Sequence, residues 1–102
     1  MSEHPILSQI KAYYATRCLK WPSTVEAIIW AMSELGETCD VLMEQRGGWT
    51  RNNPDGKRNT DDALAEELSD AVMMLLIAGI SRGYDLLAVM DDKMKRKLLE
   101  DV

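Results

Sequence analysis

Residues 64–80, LAEELSDAVMMLLIAGI, carry two carboxylates three positions apart, Glu67 and Asp70. They then run ten residues, Ala71 to Ile80, without a polar side chain. Ten apolar residues are far short of the roughly 20 that span a bilayer. A helix that is apolar all round belongs at the centre of a fold, packed by neighbours on every side. Positions i and i+3 share one helix face, so Glu67 and Asp70 project together from the end of that element. Two adjacent buried carboxylates are costly unless a cation neutralises them. A metal ion is the natural solution.

Working outward, the flanking segments read as three more helices. Pro5 suits a first helical turn, and Ile6, Ile10, Tyr13, Tyr14 and Cys18 recur at helical spacing up to the break at Trp21-Pro22. Ser23 followed by Glu26 is a capping box. It opens a long second helix to about Gln45, with Val25, Ile28, Met32, Leu35, Cys39 and Leu42 as the stripe expected to face the core. Gly47-Gly48 stops it. Residues 47–60, GGWTRNNPDGKRNT, hold four glycines or prolines and three asparagines and read as a loop. Loops of this length are commonly functional. Asn59 or Thr60 is placed to cap the third helix, with Asp61 and Asp62 in its first turn. Gly83 is placed to end it in a left-handed cap. Asp85 then caps a fourth helix with Leu86, Met90, Met94 and Leu98 as its apolar stripe. The expected architecture is all-α: a single domain over 1–102, with the two long central helices antiparallel.

The bulk numbers narrow the function classes. The 102 residues suffice for one domain with a modest core, small enough that self-association would add stability. A net charge of −5 argues against a nucleic-acid binder, which wants clustered Lys and Arg, but not against a small phosphate ligand arriving with a cation. Cys18 and Cys39 lack CxxC spacing, and Cys39, on the second helix's stripe, reads as a small buried hydrophobe. The residues after Met1 are polar and charged rather than a signal peptide, so a cytoplasmic setting is the default expectation. His4 reads as a terminal surface residue.

The second helix carries its own acidic pair, Glu34 and Glu37, on the face roughly opposite the Val25–Leu42 stripe and beside Trp30, Val41 and Glu44. A tryptophan and a valine among glutamates imply that this second face is also covered. An isolated ExxE is ordinarily a solvated helix face. Two such pairs on antiparallel helices, one running straight into an apolar segment, instead bring four carboxylates to one small volume. Oxygen-only ligands select a hard cation such as Mg²⁺. A di-iron bundle is excluded, since it needs ExxH pairs.

Glu34-x-x-Glu37, twenty-nine residues, then Glu67-x-x-Asp70 within EELSDA resembles the signature of the MazG-like nucleoside triphosphate pyrophosphohydrolases, in the all-α NTP pyrophosphatase superfamily. The similarity runs from about Thr24 to Lys97. It implies a four-helix bundle, dimeric or a dimer of dimers, that hydrolyses NTPs or dNTPs to the monophosphate and pyrophosphate with Mg²⁺, for which Mn²⁺ can substitute. It implies Glu34, Glu37, Glu67 and Asp70 as metal ligands. Lys93, in DDKMKRK, matches a lysine of the family's last helix that faces the phosphates. Where relatives often carry asparagine four residues later this chain has Lys97. Where pyrimidine-reading relatives place tyrosine four residues after the last metal ligand it has Met74.

The chemistry expected of these residues is water attack at the α-phosphorus. Glu34 or Glu37 orients or deprotonates the water, and Lys93, Lys97 and Arg96 offset charge on the leaving pyrophosphate. Trp30, one turn before Glu34, is the expected wall of a base slot, with Trp49 closing over it and Arg51, Lys57 and Arg58 in the same loop. Met73, Met74, Met90 and Met94 read as core and interface filler. Two alternatives stand beside this one: a phosphoribosyl-ATP pyrophosphatase, and a catalytically silent helical dimer that uses its acidic face to hold a partner.

Overall fold

Local chemistry accounts for the helix ends. The structure, a computed structural model, describes residues 3–47 and 61–100, which form α1 (Pro5–Thr16), α2 (Thr24–Gln45), α3 (Asp61–Ser81) and α4 (Leu86–Glu100), with no strand among the described residues. His4 caps α1 by accepting the Ile6 N–H on Nδ1 at 3.1 Å. The capping box of α2 is formed as expected: Ser23 Oγ accepts from Glu26 N–H and Glu26 Oε1 accepts from Ser23 N–H, each at 3.1 Å. Gly47 follows the end of α2 at φ 92°, and Gly83 follows α3 at φ 77°. Only glycine takes that backbone region freely. Asp85 Oδ1 accepts from Ala88 N–H at 3.0 Å and caps α4. The expected α3 caps Asn59 and Thr60, Gly48, and the loop residues Trp49, Arg51, Lys57 and Arg58 lie outside the described residues.

The pairing of α2 with α3 dominates the tertiary structure. Thr24 at the start of α2 meets Ser81 at the end of α3, with hydroxyls 2.8 Å apart, while Glu34 lies beside Glu67 and Asp70, so the two helices run antiparallel. Helix α1 packs on α3, and Leu7, Ile10, Ala27, Leu76, Ile77 and Ala78 make the core.

The face that α2 turns inward is not its most apolar one. Ala27, Ala31, Thr38, Val41 and Glu44 are buried, with Glu34 on the same face, whereas Val25 (65% exposed), Ile28, Met32 (67%), Leu35, Cys39 and Leu42 all face outward. The expected core stripe, Cys39 included, is thus an outer surface of this chain. Small side chains explain the choice: Ala27 and Ala31 let the α2 and α3 backbones approach closely, which larger residues would prevent. Helix α3 is also covered less completely than its composition implies, since Leu68, Val72 and Leu75 are exposed.

Helix α4 leaves the rest of the molecule. Its axis bends by 100° from that of α3, and none of its residues is buried. Of its stripe, only Leu86 packs against the core, where it sits on Gly79 so tightly that a Cβ there would lie 2.5 Å from Leu86 Cγ. Met90, Met94 and Leu98 are exposed. No single helix among the described residues is long and apolar enough to cross a membrane; α3 and α4 reach that length and composition only when joined across their bend.

Candidate metal centre and adjoining pocket

Antiparallel packing brings the two acidic pairs together. Glu34 on α2 and Glu67 and Asp70 on α3 each offer a carboxylate oxygen, and these oxygens lie within 4.8 Å of one another. Glu37, exposed one turn beyond Glu34, is close enough to both Glu34 and Glu67 to raise their carboxyls but is not among the three that cluster. One helical turn separates the members of each pair, so a single contact between the helices aligns all four.

The electrostatics are those of a site short of positive charge. Burial pushes the Glu67 carboxyl above the ordinary carboxylate range, and contact with Glu37 and repulsion from Glu37, Asp70 and Glu34 push it the same way. For Glu34 burial again comes first, followed by repulsion from Glu37 and Asp70 and by the contact with Glu37. Glu67 Oε2 is buried with no hydrogen-bond donor facing it among the described residues. Carboxylates in contact are two acceptors, and only a shared proton or a cation satisfies both. Three clustered carboxylates, one with an orphaned oxygen, and Glu37 close by fit a hard divalent cation, and Mg²⁺ binds such sets while keeping waters and phosphate oxygens.

Glu34 and Asp70 also stand on the wall of a cavity of about 500 Å³ between α1, α2 and α3. The rest of its lining is almost wholly apolar or aromatic: Ile6, Ile10, Tyr13, Tyr14, Met73, Met74 and Ile77, with Gln9 as the one amide. Tyr14 is held by an edge contact with Trp21, ring centroids 4.7 Å apart, and Arg17 lies over the Tyr13 ring at 4.2 Å. A volume of this size beside a polar cluster suits a small organic ligand.

The structure thus gathers Glu34, Glu67, Asp70 and Met74 with Glu37 close by, and does not bring Trp30, Lys93, Arg96 or Lys97 to the cavity wall. Trp30 is 45% exposed and does not line the cavity. Trp49 lies outside the described residues. Lys93, Arg96 and Lys97 are exposed on α4, and none of them lines the cavity. Sequence reasoning missed the contribution of α1, namely Gln9, Tyr13 and Tyr14. The signal was present as a polar amide beside the helix's apolar face and a tyrosine doublet at its edge, but only the fold shows that this face meets Asp70. Comparison of the chain with models of protein families, with curated proteins and with solved structures found no match in any of the three.

Proposed function

We propose that this chain is an Mg²⁺-dependent nucleoside triphosphate pyrophosphohydrolase that releases the monophosphate and pyrophosphate by water attack at the α-phosphorus. The observation that carries this reading is the convergence of Glu34, Glu67 and Asp70, with Glu37 close by, beside an apolar, tyrosine-lined cavity. The resemblance of the two acidic pairs to the MazG-like signature supports the same reading. Bound between these carboxylates, Mg²⁺ (or Mn²⁺ in its place) would supply charge neutralisation for the polyphosphate.

The chain's own residues then have distinct tasks. Glu67 and Asp70, fixed at the head of the apolar run, would hold the cation from α3, and Glu34 and Glu37 would hold it from α2. Water adds to the α-phosphorus as its bridging P–O bond breaks, pyrophosphate leaves, and the water's proton passes to Glu34 or Glu37. The base lies in the cavity between Tyr13, Tyr14 and Met74 rather than against Trp30, where stacking and dispersion hold a planar ring. A homodimer or a dimer of dimers is the working assembly, supported by the exposed apolar stripes of α2 and α4.

The test is a pyrophosphate-release assay over the common NTPs and dNTPs, with and without Mg²⁺, on wild type and Glu67→Gln. Wild type should turn over at least one of them only with the cation, and Glu67→Gln should lose activity by at least about 100-fold. Release from phosphoribosyl-ATP alone would move the assignment to that substrate. No release from any of these compounds would leave the helical dimer as a binding module.

A further inference from the structure

We propose that a second cavity, at the other end of the α2–α3 pair, binds the oxyanion of a small phosphorylated ligand between Arg82 and Lys20. This site is separate from the acidic cluster and does not rest on the pyrophosphohydrolase reading. Thr24, on its wall, precedes Glu34 by ten residues, roughly 15 Å along α2. The cavity, of about 530 Å³, is walled by Trp21 and Pro22 of the α1–α2 connector, by the first turn of α2, and by Ser81 and Arg82 at the end of α3, with Lys20 beside them.

Hydrogen-bond directions fix the guanidinium. A serine or threonine hydroxyl has one proton to donate. Ser81 Oγ donates its own to the Ala78 carbonyl at 2.7 Å, so in its 2.8 Å contact with Thr24 it accepts. Thr24 Oγ1 thus donates to Ser81, and it accepts from Arg82 Nε at 3.1 Å. The donors run one way, from Arg82 to Thr24 to Ser81 to Ala78, and neither hydroxyl keeps a proton for a ligand. Arg82 is held by Nε alone. The other four of its five N–H donors, on the two terminal nitrogens, have no partner among the described residues.

The charge on the wall is unbalanced in the same direction. Lys20 forms no ion pair among the described residues, although its charge favours the ionised form of Glu26. Glu26 is the one carboxylate on the wall, and its Oε1 is turned to the Ser23 N–H that it caps at 3.1 Å. Two cations therefore face the cavity against one carboxylate, in a chain whose net charge is −5. The start of α2 is not by itself the site, since Ser23 Oγ already takes the Glu26 N–H. A guanidinium with its terminal edge free meets two oxygens of a phosphate at once, and the ammonium adds a second point charge.

Titration of the ¹⁵N-labelled whole chain with pyrophosphate in EDTA tests this, because without a metal ion the acidic cluster repels the anion. Amide signals of Lys20, Thr24, Ser81 and Arg82 should shift saturably, with half-saturation below about 5 mM. Arg82→Ala and Lys20→Ala should each raise that concentration by at least about 5-fold. Arg82→Lys should recover little, because an ammonium cannot both keep the Thr24 contact and grip two oxygens. Should Arg82→Ala fail to fold, Lys20→Ala decides. No saturable shift by about 20 mM, shifts confined to other residues, or an unchanged affinity in the folded variants overturns the proposal. Acetate saturating the same signals at the same concentration overturns the assignment to phosphate.

Discussion

Glu67 concentrates the tension of the molecule in one side chain. Its orphaned, buried oxygen and three acidic neighbours make the metal-free fold less stable than its packing would allow. Glu67→Gln relieves acidic crowding around a partly buried carboxyl at nearly constant volume, so the variant should melt higher than wild type in EDTA and lose that advantage when Mg²⁺ is added, as calorimetry would show. The pH dependence follows from the raised carboxyls of Glu34 and Glu67. A group protonated more readily in the folded state gives the fold full benefit below the unfolded value of about 4.5 and withdraws it as pH rises through the folded value. Metal-free protein should therefore lose stability as pH climbs from about 4.5 toward neutrality, and saturating Mg²⁺ should flatten that slope. Thermal melts across this range check it; a stability that rises with pH in EDTA would contradict it.

At the scale of the helix, two small residues set the geometry. Ala31 is buried on the face of α2 that meets α3, level with the approach to Glu34. Ala31→Leu should push the helices apart and cost about 1–3 kcal/mol in denaturant unfolding, with weaker binding of Mg²⁺ because the two acidic pairs would separate. Gly79 plays the same part for α4, since a methyl group there would meet Leu86 at 2.5 Å. Gly79→Ala should cost a similar 1–3 kcal/mol and swing α4 away from its present 100° bend. Which face of α2 is buried was not legible from periodicity. Val25, Ile28, Met32 and Leu35 repeat as regularly as Ala27, Ala31 and Val41, and the larger set wins any ranking by hydrophobicity. Close packing reverses that order, because alanine admits a neighbouring backbone that methionine keeps out.

The described residues form an open arrangement for their number. Its radius of gyration is 16.7 Å, against about 13 Å for a compact domain of 100 residues. Helix α4 projects with no buried residue, and the exposed apolar stripe of α2 makes no core within its own subunit. Such a chain should associate: light scattering at micromolar concentration should return a dimer or tetramer, and the melting temperature should rise with protein concentration. Met94→Asp, in the middle of the exposed α4 stripe, should dissociate it and remove that concentration dependence.

What the amino-acid order determined by itself is everything set within about one helical turn. Ser23 and Glu26, Gly47, Gly83 and Asp85 mark where helices begin and end, and the i, i+3 spacing puts Glu34 with Glu37 and Glu67 with Asp70 on common faces. The meeting of those two pairs was readable too, because antiparallel neighbours of similar length offer few alternatives. Only the tertiary structure decided that α1 supplies the tyrosine wall, that Trp30 stands outside it, and that α4 projects from the bundle with no buried residue. Those facts depend on the directions in which whole helices leave one another. Directions arise from side-chain volumes meeting across long stretches of chain, as Gly79 meets Leu86, and no local repeat encodes them.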